Sequence, residues 1–114
     1  MSERGSAAVE FALVIPAIVL VVLAVTEVVV VARTQLELAQ AAREGVRVAA
    51  IAADPAEAVS ATRGALGELA SDASITVDRP FVVGESATVV IRLPVRVFGL
   101  PITLQADAAM RVES

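Results

Sequence analysis

The run from Phe11 to Ala32 decides what this chain can be. Over those 22 positions the only polar side chains are Thr26 and Glu27. At a rise of 1.5 Å per residue the segment makes a helix of about 33 Å, enough to cross the hydrocarbon core of a bilayer with some tilt. The chain is therefore expected to live in a membrane, with a lipid bilayer as its first partner.

The remaining length leaves room for one small soluble domain beside one span. Hydrophobic residues make up 57 % of the 114 and mean hydropathy is +0.79, yet aromatics are only 3 %. Ala and Val carry the excess, so the domain core must be modest and built from small aliphatics. The formal net charge is −4 and the nine basic residues are all Arg, without a basic patch interleaved with aromatics. Nucleic-acid binding is disfavoured on that ground. With neither Cys nor His in the sequence, disulfides, thiolate or imidazole metal ligation and Cys–His or Ser–His catalysis are unavailable. The acidic residues are scattered and form no calcium loop or catalytic pair, and there is no glycine-rich phosphate loop. The expectation is a protein that is not an enzyme and uses no cofactor or metal.

What precedes the apolar run is more specific than the run itself. Glu10 abuts it, where a carboxylate is costly unless it finds a partner or reaches the interface. Gly5 lies five positions upstream, with Ser6, Ala7, Ala8 and Val9 between. This layout resembles a type IV prepilin: a short polar leader ending in Gly, then Glu at the fifth mature position, then an aromatic. The string AAVEFALVIP resembles the TadE-like proteins, minor pilin-like members (pseudopilins) of the Flp or tight-adherence pilus system. Major Flp pilins typically carry Tyr after the Glu and are shorter, so Phe11 and the chain length favour the minor class. The similarity is strongest over residues 5–51 and weaker through the C-terminal strands.

That resemblance implies a leader, Met1–Gly5, removed by a prepilin peptidase at the Gly5–Ser6 bond. It implies an assembly and recognition role for Glu10 and Phe11. Its implied partners are the prepilin peptidase, other pilins and pseudopilins, and the inner-membrane assembly platform with its cytoplasmic ATPase. The physical reasons are direct. Gly5 has no Cβ to crowd a scissile bond. Cleavage frees the Ser6 α-amino group, which is charged near or somewhat below neutral pH. In a helix bundle, Glu10 of one subunit can neutralise that ammonium in a neighbour and so set axial register. The plainer alternative makes Glu10 a boundary residue and Gly5 a linker.

Within the span, Pro16 removes one backbone hydrogen bond and predicts a local bend, serving either as a flexure for subunit packing or as an ordinary membrane-helix proline. Thr26 and Glu27 are candidates for a polar contact inside the membrane between subunits; otherwise Glu27 snorkels to the far interface while Arg33 anchors the end. Arg33, Arg43 and Arg47 follow the span and only Arg4 and the amino terminus precede it, which by charge count puts the C-terminal part in the cytoplasm. The prepilin resemblance implies the opposite: a single pass in the cytoplasmic membrane, N-terminus cytoplasmic, domain outside, and a place in a surface pilus open. A secretory signal is disfavoured, because Met1–Arg4 is too short for its charged region and Ala24-Val25-Thr26 is a poor cleavage site.

Thr34 to Ala53 reads as the same helix continuing into water, with Leu36, Ala39, Ala42 or Arg43, Val46 and Ala49 or Ala50 at helical spacing. Small residues at Ala41, Ala42, Gly45, Ala49 and Ala50 permit close approach to the domain's own elements or to another subunit. Glu44 precedes Arg47 by three rather than four, so their charges read as only loosely complementary. Asp54-Pro55 with Glu57 restarts a helix to about Ala70, with Val59, Thr62, Leu66 and Leu69 on its apolar side. Thereafter the period becomes two. Ser74–Asp78 alternates; Val89, Ile91, Leu93, Val95 and Val97 share one face, with Pro94 implying an edge or a bulge. Gly99-Leu100-Pro101 turns the chain, and Ile102 to Val112 alternates again.

The expected fold class is α+β and pilin-like: a long N-terminal helix whose first part spans the membrane, a second helix, and a small antiparallel sheet of about three strands. The expected divisions are a leader over 1–5, the transmembrane helix with its assembly motif over 6–33, and a small extracytoplasmic domain over 34–114. The expected function is a TadE-like role in Flp pilus assembly. The competing one is an uncleaved single-span anchor presenting a small binding or regulatory module.

Overall fold

The structure is a computed structural model that describes residues 3–52, 54–80 and 82–112, with side chains from Gly5 onward. Met1 and Ser2 of the expected leader, Ala53 at the expected helix end, and Glu113 and Ser114 lie outside the described residues. Two compact units divide between Ala32 and Arg33.

One helix, α1, covers Glu3–Ile51. Its first part is unit one, where Phe11 to Ala32 is apolar but for Thr26 and Glu27 and is mostly exposed, with Ala24, Glu27 and Val31 half-buried. A helix that is hydrophobic all round belongs in a non-aqueous surrounding. Pro16 sits inside α1 without interrupting it.

From Arg33 on, α1 is the spine of the second unit. The chain then forms α2 (Pro55–Leu66), a short 3₁₀ turn (Gly67–Ser71), and three strands: β1 (Ser74–Asp78), β2 (Ser86–Val97) and β3 (Leu100–Arg111). The sheet order is β1-β2-β3, antiparallel throughout. This is the α+β arrangement the sequence calls for. The start of α2 follows the expected chemistry: Asp54 is the N-cap, its Oδ1 accepting from the Ala56 N–H at 3.0 Å, and Pro55 opens the helix.

Five local expectations are corrected. Ala42, Val46, Ala49 and Ala50 of the expected stripe on α1 are buried, but Leu36 is 64 % exposed and Leu38 and Ala41 are buried instead. The α-helical part of α2 ends at Leu66, because Gly67 with φ of 61° tightens the chain into the 3₁₀ turn. Its buried face is Ala58, Thr62 and Leu66, with Val59 only half-buried. The β2–β3 turn comes a residue early: Val97 pairs with Leu100, and Phe98 (φ 52°) and Gly99 (φ 77°) make a two-residue hairpin loop. Finally, Arg47 donates a hydrogen bond to Glu44 Oε1 across three positions. That bond first, and the Glu44 charge second, hold the Arg47 pKa above its ordinary value; the pair is exposed and contributes little to stability.

Pro94 is tolerated for a reason that combines edge and interior. β2 is the central strand, but β1 ends opposite Arg92, so at Pro94 only β3 lies alongside, paired through Thr103. The missing N–H therefore costs nothing on the β1 side.

The core is mostly alanine and valine. Leu38, Ala41, Ala42, Val46 and Ala49 of α1 meet Ala58 and Leu66 of α2 and Ala87, Val89, Ile91 and Leu93 of β2. The small residues on α1 bring the elements close: a Cβ added at Gly45 would lie 2.0 Å from Thr62 Oγ1. Thr62 is fully buried and satisfies its hydroxyl by donating to the Ala58 carbonyl at 2.8 Å.

Candidate functional site

Every residue singled out at the N-terminus lies on α1. Because the helix begins at Glu3, the Gly5–Ser6 bond is helical rather than part of an extended leader. Ser6 and Glu10 are four apart, one turn from each other on the same face. Both are exposed, as is Phe11, at 68 %. The first turn of a helix leaves backbone N–H groups without intrahelical acceptors, so unwinding at Gly5 breaks few bonds. What this geometry offers is a recognisable helix start: a residue without a Cβ, then a carboxylate one turn past the bond that follows it, then an exposed aromatic.

Further along, Pro16 leaves the Ala12 carbonyl without its usual i+4 donor. Thr26 and Glu27, grouped as candidates for a contact between subunits, behave differently. Thr26 Oγ1 donates to the Val22 carbonyl at 2.8 Å, so its hydroxyl is satisfied within its own helix. Glu27 is half-buried and makes no hydrogen bond or ion pair among the described residues. Arg33 pairs with Glu37, at 3.9 Å.

Sequence reasoning missed two tethers of the domain. Gln35 Nε2 donates to the Gln105 carbonyl at 2.7 Å, fixing α1 to β3. Arg79 Nε donates to the Ala49 carbonyl at 2.7 Å, capping the C-terminal turn of α1, which has no basic residue of its own. Neither pair is near in sequence, so no local signal announced them. No group of three or more acidic residues able to hold a metal ion occurs among the described residues.

The fold thus defines a class: a small α+β domain whose N-terminal helix, Gly5–Ile51, includes a stretch long and apolar enough to cross a membrane. Its length and apolar composition suit a membrane anchor. Residues 5–47 match the model of the TadE-like protein family. The match takes in Gly5, Glu10 and Phe11, the whole apolar run, and the Arg43–Arg47 segment; α2 and the sheet lie beyond it. No curated protein and no solved structure matches the chain.

Proposed function

We propose that this protein is a minor pilin-like subunit of Flp/Tad pilus assembly, cut by a prepilin peptidase between Gly5 and Ser6. The observation that carries the proposal is the coincidence of the TadE-like match over residues 5–47 with Gly5 and the exposed Glu10 and Phe11 at the start of α1. In this reading the span holds the subunit in the cytoplasmic membrane, and the domain stands outside it. The freed Ser6 ammonium of one subunit meets Glu10 of another. Its own Glu10 lies one turn away and competes for the same charge, so bundling favours whichever pairing is better shielded from water. Its partners are the peptidase, neighbouring pilins and the assembly platform.

One observation favours the second reading, an uncleaved anchor presenting the domain: α1 already runs through the Gly5–Ser6 bond. A single experiment separates the two. Wild type, Gly5→Val and Glu10→Ala are expressed with and without the cognate peptidase, then compared by intact mass and inter-subunit crosslinking. The wild type is expected to lose Met1–Gly5, and Gly5→Val to stay uncut. Glu10→Ala is expected to be cut and inserted yet to lose crosslinks and pili, since the partner ammonium is left without a counter-charge. Met1 retained in the wild type with the peptidase present establishes the anchor reading instead.

A further inference from the structure

The sheet's apolar face is longer than the helices that cover it. Strands β2 and β3 pair for twelve residues, and their core-facing positions run in cross-strand pairs from Ala87–Met110 to Val97–Leu100. In the middle, Ile91 and Ala106 are buried and Leu93 lies beside Leu104. Toward the hairpin the cover stops. Val95 and Val97 are half-buried, Ile102 is exposed, and Leu100 and Phe98 are exposed at 64 % and 61 %.

The direction of that overhang is fixed by the two tethers. Gln35 holds α1 at Gln105, while Arg79, just past the end of β1, holds it at Ala49. β3 therefore runs in the same sense as α1, and the hairpin tip points toward Arg33. From Gln105 to Gly99 is six residues of strand, about 20 Å. From Gln35 back to Arg33 is two residues of helix, about 3 Å. The tip thus lies at the end of the domain where Arg33 begins it.

Two further observations agree on the surroundings of that tip. Between Glu85 and Asp107 the hairpin carries Arg92 and Arg96 and no acidic residue, in a chain whose net charge is −4. Phe98, moreover, holds a left-handed conformation that Asn or Gly adopts more cheaply, so a bulky aromatic there is not explained by the turn.

We propose that the β2–β3 hairpin is a second membrane contact: Phe98, Leu100, Val97 and Ile102 enter the headgroup region of the monolayer from which α1 emerges, and Arg96 faces lipid phosphates. This rests on the span being in a bilayer, but not on cleavage, on assembly, or on which side the domain occupies. Aromatic and aliphatic side chains at that depth, about 5–10 Å into the headgroup and acyl boundary, gain by burial while arginines snorkel outward.

The chain has no cysteine, so single cysteines report single sites. Val21→Cys, Leu100→Cys and Glu85→Cys, the last at the opposite end of the sheet, are each labelled with an environment-sensitive fluorophore. The full chain is reconstituted in vesicles of phosphatidylcholine and phosphatidylglycerol containing lipids spin-labelled near the headgroup or deep in the acyl chain. Val21 is expected to be quenched by the deep label, Leu100 by the shallow one with loss of about half its emission, and Glu85 by neither. Phe98→Asn, which suits the turn better, is expected to lower the Leu100 quenching at least about twofold while the fold is kept. Quenching at Val21 with none at Leu100 overturns the hairpin contact and leaves the span standing. A Leu100 label that is shielded from water but unquenched by lipid means that protein covers the tip, and also overturns it. An unquenched Val21 removes the span and the proposal together. Quenching at Leu100 unchanged by Phe98→Asn removes Phe98 from the contact.

Discussion

Gly45 shows how much of this domain depends on the absence of single atoms. With Thr62 Oγ1 only 2.0 Å from where a Cβ would stand, Gly45→Ala forces α1 and α2 apart or Thr62 out of its rotamer. Overpacking of this kind costs about 1–3 kcal/mol, against a helix-propensity gain of up to about 1 kcal/mol. A net loss of about 1–2 kcal/mol is expected, read as a lowered urea midpoint by pulse proteolysis of the detergent-solubilised chain. Gly45→Ala with Thr62→Ala should lose less than the two single changes added together, because the second substitution vacates the space the first one fills. At this scale the sequence was half legible. A line of small residues on α1 announced a close approach, but nothing local named Thr62 as the neighbour. The misplacement of Leu36 has the same root. Alanines stand in both candidate helical frames, so spacing alone did not choose between Leu36 and Leu38, and only the position of the sheet did.

At the scale of elements, the periodicities did their job where one face met the core and failed where an end had to be satisfied. The alternation in β2 and the Asp54-Pro55 restart of α2 were readable because each depends on residues next to one another. The end of α1 was not. Its last turn has no basic side chain and borrows one from Arg79, thirty positions on. A guanidinium donating to a helix C-terminal carbonyl satisfies a lone acceptor and opposes the negative end of the helix dipole. Arg79→Ala should therefore destabilise the domain by about 1–2 kcal/mol. Hydrogen exchange should locate the loss, with amides of residues 46–51 exchanging faster while those in the middle of β2 change only by the global amount. Equal acceleration everywhere would mean that Arg79 supports the whole domain rather than one helix end.

For the whole molecule, charge count and resemblance give opposite sidedness. If the domain lies outside the cytoplasmic membrane, protease added to intact spheroplasts should cut it at the exposed Val82–Glu85 segment. Protection there, lost on lysis, would make the three arginines after the span the better guide. The candidate site at Gly5, Glu10 and Phe11 was legible because it is a short motif beside a long apolar run. The apolar hairpin was not, since its alternation looks the same whether or not a helix lies over it. β2 and β3 pair from Ser86–Arg111 to Val97–Leu100 without a bulge. One residue added to either strand would turn every side chain beyond it to the other face. Descendants of this hairpin can therefore lengthen or shorten only in matched steps of about two residues per strand, each moving the tip by about 7 Å. Length differences among such chains should be even in number and gathered at Phe98-Gly99, so the reach of the hairpin evolves in steps rather than by continuous drift.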